Sequence, residues 1–296
     1  MKVRIGFGPG VLAPSGDPSF FGPFVDDLER LGFDSLWLSE RAAGPLPDPV
    51  AAIAFAAGRT RRLKLGTSVM VLPGRNPALL AKQLASLDAL SDGRFLPAFG
   101  LGVADATEQQ AFGVARADRS PWFEEALPLL RQFWTGEPVF HHGRFDYEGL
   151  ALSVTPTQQP FSVWLGGAAP GELRRVGRLG DGWLASFCTP ESVADDRPVI
   201  EQAAADAGRE IDPEHFGAMV LYSMTPLDPA FAEMLASRRP GTRPDEIVPV
   251  GVDAIAERLA AFTEVGFSKL VLVPVTAPDD WTAQLTDLAE LLTLQT

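Results

Sequence analysis

The residues that could do chemistry fall into a few groups. Leu38-Ser39-Glu40-Arg41 sets a carboxylate beside a guanidinium. Arginine stays protonated, which makes Arg41 a poor general base but a good clamp for an anion, with Glu40 as its partner or a ligand contact. Trp164-Leu165-Gly166-Gly167-Ala168-Ala169-Pro170 combines small residues with a proline suited to the first turn of a helix. Small residues let backbone approach an anion, and a helix start turns free N–H groups toward it. Arg174 and Arg175 follow within about a turn and could add charge. The plainer reading of the same stretch is a tight strand-to-helix turn followed by two solvated arginines.

Other groups lead away from chemistry. Gly6-Phe7-Gly8-Pro9-Gly10 follows a first strand and Glu40 ends a second, as in a dinucleotide-binding fold. That fold needs backbone donors opening a helix at once. Pro9 removes a donor, the third glycine falls one place early, and a Pro/Gly stretch continues to Pro18. The three histidines do not form a metal site: His141 and His142 are adjacent and point apart, and His215 lies far along the chain. No metal is expected. Cys188 has no histidine near it in sequence and reads as a small buried hydrophobe.

These groups hang on an alternating framework. Short β-branched runs at Val3–Gly8, Ser35–Leu38, Leu63–Val71, Phe95–Phe99, Ser162–Gly166, Gly182–Phe187, Ala218–Ser223 and Lys269–Pro274 give eight predicted strands. Helical segments separate them. Asp48-Pro49, Asn76-Pro77, Thr189-Pro190 and Asp212-Pro213 each read as an N-cap followed by proline. Strand–helix alternation predicts a mostly parallel sheet, and eight such units predict an α/β fold, a (β/α)8 TIM barrel spanning residues 1–296 as one domain. Two connections are too long for plain crossovers, and they appear as insertions after strands 4 and 7. Residues 101–160 hold a predicted helix at Phe123–Trp134 and a hairpin of Val139–Phe140 with Phe145–Leu152. Residues 225–250 are rich in Pro and Arg, without a clear period. Both follow the strand ends where barrel active sites sit, so each reads as a lid or as a surface loop.

Leu65-Gly66-Thr67-Ser68-Val69-Met70-Val71-Leu72-Pro73 with Arg75-Asn76-Pro77-Ala78 resembles the third-strand signature of the bacterial luciferase-like superfamily. Gly32-Phe33-Asp34-Ser35-Leu36-Trp37, Asp92-Gly93-Arg94-Phe95, Leu96-Pro97-Ala98-Phe99-Gly100-Leu101-Gly102 and Glu108-Gln109-Gln110-Ala111-Phe112-Gly113 fall in the matching order. Together they resemble the branch that uses the deazaflavin coenzyme F420. The resemblance implies an oxidoreductase passing hydride between coenzyme F420 and a small organic substrate. It implies that Ser68–Val69 forms a bulge or cis peptide backing the ring, although composition alone reads the segment as ordinary strand. It places Thr67, Ser68, Val69, Gly100, Gly102, Gly166, Gly167, Ala168, Ala169, Arg174 and Arg175 around the cofactor, and Glu40 and Arg41 at the catalytic end of strand two. Some deazaflavin dehydrogenases carry a histidine where this chain has Arg41, which argues against a sugar-phosphate dehydrogenase of that type. The alternatives are an FMN-dependent luciferase-like monooxygenase and a flavin-binding barrel without turnover.

The resemblance also implies a homodimer, for which Phe20, Phe21, Phe24, Ile53 and Phe55 offer apolar helix surface. The chain carries a net charge of −13. Nucleic acid and anionic membrane need a basic face, so neither is an expected partner. A single cysteine, no apolar run of spanning length and no signal-like start predict a cytoplasmic protein. If the cofactor is F420, its carboxylate-bearing tail must meet local cations, and Arg174, Arg175, Arg238, Arg239 and Arg243 are the expected ones.

Overall fold

The computed structural model describes residues 1–10, 13 and 16–296; the Pro/Gly stretch after Gly10 falls partly outside them. Eight parallel strands form the frame: β1 (Arg4–Phe7), β2 (Ser35–Leu38), β3 (Lys64–Thr67 and Met70–Val71), β4 (Phe95–Leu96 and Ala98–Gly100), β5 (Trp164–Gly166), β6 (Gly182–Ala185), β7 (Phe216–Tyr222) and β8 (Lys269–Pro274). Each pairs with the next, and β8 returns to β1 in the register Arg4 opposite Lys269. β3 meets β4 twice, Leu65 opposite Phe95 below the break and Met70 opposite Phe99 above it, so the sheet closes into the expected barrel.

The capping residues place the outer helices. Asp17, Asp48, Asn76 and Thr189 each precede a proline and accept a backbone N–H, opening α1 (Pro18–Leu31), α2 (Pro49–Arg59), α3 (Pro77–Leu90) and α7 (Pro190–Asp206). Asp212-Pro213 is a correction. Asp212 takes the Glu214 amide at 2.8 Å and its carbonyl takes the His215 amide at 2.8 Å, closing a turn that leads straight into β7. No room for a helix remains there.

The insertion after β4 holds α4 (Ala106–Phe112), α5 (Arg119–Trp134) and a two-stranded hairpin, Val139–His141 with Tyr147–Leu150. α6 (Pro170–Leu179) follows β5. The segment after β7 corrects the expectation of an irregular loop: it contains α8 (Pro229–Arg238) and α9 (Pro244–Ile247). Leu235 and Ile247 are buried in one apolar cluster with Trp37, Trp164, Leu184 and Val271. α8 is thus packed onto barrel residues, and Arg238 lies 4.9 Å over the Phe187 ring just beyond β6. α10 (Val252–Glu264) and α11 (Trp281–Leu288) complete the shell.

Most of the apolar surface invoked for a dimer is used internally. Phe21, Phe24 and Ile53 are buried, and Phe20 packs on Phe24 and Trp281. Phe55 alone of the five is exposed, with Arg59 5.4 Å over its ring.

At the N-terminal end of the barrel, Asp34 gathers Lys269 at 2.7 Å, Arg4 at 3.6 Å and Lys64 at 3.7 Å. This knot ties β1, β2, β3 and β8 together on the face where barrel residues serve stability.

Candidate active site

The centre of the site is the break in β3. The Ser68–Val69 peptide is cis, as the resemblance implies. The strand's hydrogen bonding is carried across the break by Thr67, whose hydroxyl donates to the Ala98 carbonyl and accepts from the Ala98 amide, both at 2.8 Å. That fully buried hydroxyl is engaged on the neighbouring strand, so Thr67 positions the break.

Val69 is half-buried and stands between two glycines. A Cβ on Gly100 would come within 2.6 Å of its Cγ2, and one on Gly166 within 3.0 Å of its Cγ1. Both positions therefore need glycine for Val69 to hold its place. Gly102 has a different reason. Its φ is +77°, and a Cβ there would meet the Arg119 guanidinium at 2.8 Å. Arg119 is fully buried and donates to the Leu101 carbonyl at 2.8 Å, so Gly102 belongs to the packing of the loop above α5.

Glu40 does not pair with Arg41, which corrects the sequence reading. Its carboxylate is held by the Arg75 guanidinium and by the Val71 amide at 2.6 Å. Burial pushes its pKa up, against the opposing pull of Arg75. Arg41 instead meets Glu108 of α4 at 3.3 Å. Glu108 also accepts from the Ala42 and Ala43 amides at 3.0 and 3.2 Å. Burial alone would raise the Glu108 pKa, but those amides and Arg41 hold it below the usual carboxylate range. Arg41 and Glu108 thereby clamp the β2–α2 loop.

After β5, the Ala168 and Ala169 amides point at one oxygen of Glu172, each at 3.1 Å. An anion-binding turn exists, and the chain's own carboxylate lies in it. Gly167 has φ +121°, and a Cβ there would come within 2.6 Å of the Glu172 Cβ. Arg174 is exposed. Arg175 is turned the other way, buried over Phe123 with Glu124 at 3.4 Å and bonded to the Ser120 hydroxyl. The structure does not bring Arg175 to this turn. Arg243 is likewise engaged, by Asp245 and Glu246, whereas Arg174, Arg238 and Arg239 make no ion pair among the described residues.

Sequence reasoning missed Ser39, whose hydroxyl donates to the Ser68 carbonyl at 2.9 Å and lies 3.2 Å from the Ser68 hydroxyl. It missed Arg75 and Glu172 as well. Glu172 carried a legible signal: a glutamate three residues after a helix-capping position reaches back to that position's N–H. Ser39 borders a small cleft between the ends of β1, β2, β7 and β8. The cleft adjoins the Val69 platform through the Ser39–Ser68 contact.

The remaining candidates are inert. Burial pushes the Cys188 thiol up to about 12, which keeps it protonated. His141 bonds Glu125 at 2.9 Å and His215 bonds the Asp181 carbonyl at 2.8 Å. No cluster of metal-ligating side chains occurs among the described residues. No helix there is long and apolar enough to cross a membrane.

The luciferase-like monooxygenase family model matches residues 3–242, and the chain belongs to that family. Among curated relatives, an F420-dependent glucose-6-phosphate dehydrogenase of Intrasporangium calvum is 32% identical over 65% of this chain and 63% of its own length. A limonene 1,2-monooxygenase of Rhodococcus erythropolis is 32% identical over 64% of this chain and 50% of its own. The match thus spans one half to under two thirds of these relatives. Among solved structures, an F420-dependent secondary alcohol dehydrogenase superposes with a TM-score of 0.81 at 19% identity, covering 99% of each chain. The fold of the whole chain is that of this family's barrels.

Proposed function

We propose that the chain is an oxidoreductase that transfers hydride between coenzyme F420 and a small organic substrate. The observation that carries this reading is Val69, an apolar side chain set on the mouth of the barrel at the cis Ser68–Val69 peptide, with Gly100 and Gly166 shaped around it. A planar ring needs such a wall. The Ala168 and Ala169 amides fit its phosphate once Glu172 gives way, and they do so for FMN as well as for the deazaflavin. The deazaflavin supplies hydride chemistry without oxygen activation. The protein supplies orientation and exclusion of water. Val69 backs the ring, and Glu40 and Arg75 fix the β3 backbone that carries Val69. α8 covers apolar barrel residues, and Arg174, Arg238 and Arg239, which make no ion pair among the described residues, are the cations assigned to an acidic tail. The names of the curated relatives support the deazaflavin. The sugar phosphate in those names is not carried over, because Arg41 replaces a base and is spent on Glu108.

The monooxygenase name of the Rhodococcus relative favours FMN as the second reading. Anaerobic incubation with reduced deazaflavin and a panel of ketones and enones should reoxidise the cofactor. Oxygen uptake with reduced FMN, and no reoxidation of the deazaflavin, would contradict the proposal.

A further inference from the structure

We infer that Arg116 and Arg119 are positioning residues of the cofactor site: they hold three successive carbonyls of the loop after β4 and so present the Gly102 amide beside the Val69 platform. This rests on the hydride-transfer reading above and assigns one wall of the same site.

The loop leaves β4 at Gly100, which packs on Val69. A Cβ on Gly100 would lie 2.6 Å from the Val69 Cγ2 and 4.0 Å from the Gly102 nitrogen. The Gly102 nitrogen and the platform therefore share one side of Gly100.

The carbonyls of the loop face α5. Arg119, at the start of that helix, donates to the Leu101 carbonyl at 2.8 Å and to the Val103 carbonyl at 3.3 Å. Its Nε donates to the Val114 carbonyl at 3.3 Å. Arg116, three residues earlier, donates to the Gly102 carbonyl at 3.3 Å. In a trans peptide the C=O and the N–H of the next residue point in opposite directions. Fixing the carbonyls of Leu101, Gly102 and Val103 thus fixes the amides of Gly102, Val103 and Ala104. None of these amides has an acceptor among the described residues. The Gly102 amide is the one beside Val69, and it is the donor offered to the polar edge of the cofactor. A donor held in place beforehand needs no reorganisation when its acceptor arrives.

This arrangement works against the fold's stability. Arg119 is fully buried, makes no ion pair among the described residues and leaves its Nη2 without a partner. A buried charge with no counter-charge is worse for stability than an apolar side chain of similar volume. Arg116 adds a like charge nearby. Packing alone does not call for two arginines here. A loop that must keep its amides turned to a ligand does.

The test compares stability with binding in the full chain, by urea unfolding, tryptophan quenching and the absorption band of bound deazaflavin. Arg116 is exposed, so Arg116→Ala should unfold at the same urea concentration as the unmodified chain. It should nevertheless bind deazaflavin about threefold more weakly. Arg119→Met should weaken binding about tenfold, and Arg119→Lys, which keeps a donor for one carbonyl, should recover part of that loss. Gly102→Ala sets a methyl 2.8 Å from the guanidinium and should also lose affinity. Added to Arg119→Met it should cost less than it does alone, because the group it meets is gone. In every weakened variant the absorption band should move toward that of free deazaflavin. Unchanged affinity in Arg116→Ala and Arg119→Met, or affinity that falls only in step with stability while the band stays put, would overturn the inference. No deazaflavin binding by the unmodified chain would sink the function reading, and this inference with it.

Discussion

The Glu40 carboxylate is gripped from two sides, by the Arg75 guanidinium and by the Val71 amide at 2.6 Å, so the end of β2 is fastened to the upper half of β3. Arg75 reaches back as well, its Nε donating to the Val71 carbonyl at 3.0 Å. Val71, two residues after the cis peptide, is thereby anchored to the end of the neighbouring strand. Glu40 acts on the site through Val71 and is a positioning residue.

Glu40→Ala should therefore cost stability and platform together. The Glu40 side chain is 7% exposed and Arg75 23%, so the lost pair is mostly but not fully shielded. Breaking a buried pair costs about 3–5 kcal/mol. With the partial exposure of Arg75 the expected loss is about 1–3 kcal/mol, read by urea unfolding. Deazaflavin affinity should fall in the same variant. A loss under about 0.5 kcal/mol, within the usual range for surface substitutions, would show that the anchor is idle.

Glu172 competes for the amides that a cofactor phosphate would use. Glu172→Ala should tighten both deazaflavin and FMN, because neither phosphate then displaces a carboxylate of its own charge. The helix start should lose about 1 kcal/mol with its cap. Weaker binding of both cofactors in this variant would mean that Glu172 touches the cofactor instead of vacating its place.

The knot at the opposite end of the barrel sets an acid limit. Burial would raise the Asp34 pKa, but Lys269 and Lys64 hold it below the ordinary 3.8. Burial also draws the Lys269 ammonium down in spite of Asp34. Three cations surround the single Asp34 carboxylate. A depressed carboxylate stabilises the fold above its unfolded-state value, and that contribution is lost as pH falls through the folded value. Thermal unfolding should thus be level from neutral pH to about 5 and drop below about 4. Asp34→Asn should lose about 3–5 kcal/mol at neutral pH by stranding Lys269, and should show a shallower acid arm. An unchanged acid arm in that variant would assign the acid loss to other carboxylates.

The barrel was legible because its strands are short β-branched runs and its helices open on Asp, Asn or Thr followed by Pro. That signal is local. It misled at Asp212-Pro213, where the cap chemistry is real but only a turn fits before β7. α8 was hidden because Phe231, Met234 and Leu235 sit among Pro and Arg residues, and their packing partners lie on distant strands. At the site, the Ser68–Val69 break was legible only through resemblance, since its residues read as ordinary strand. The partners of charged groups were not legible. Sequence proximity suggested Glu40 with Arg41, yet the chain pairs Glu40 with Arg75 and Arg41 with Glu108. Arg175 looked like its neighbour Arg174, and only the docking of α6 on α5 separates a buried arginine from an exposed one.

Which cofactor the platform holds is decided most directly by titrating the unmodified chain with deazaflavin and with FMN, following tryptophan quenching at low salt and again near ~1 M, where charges beyond about 3 Å are screened. The deazaflavin should bind more tightly, and its affinity should fall more with salt than that of FMN, because its tail meets Arg174, Arg238 and Arg239. Tighter binding of FMN, or the same salt response for both, would contradict the deazaflavin assignment.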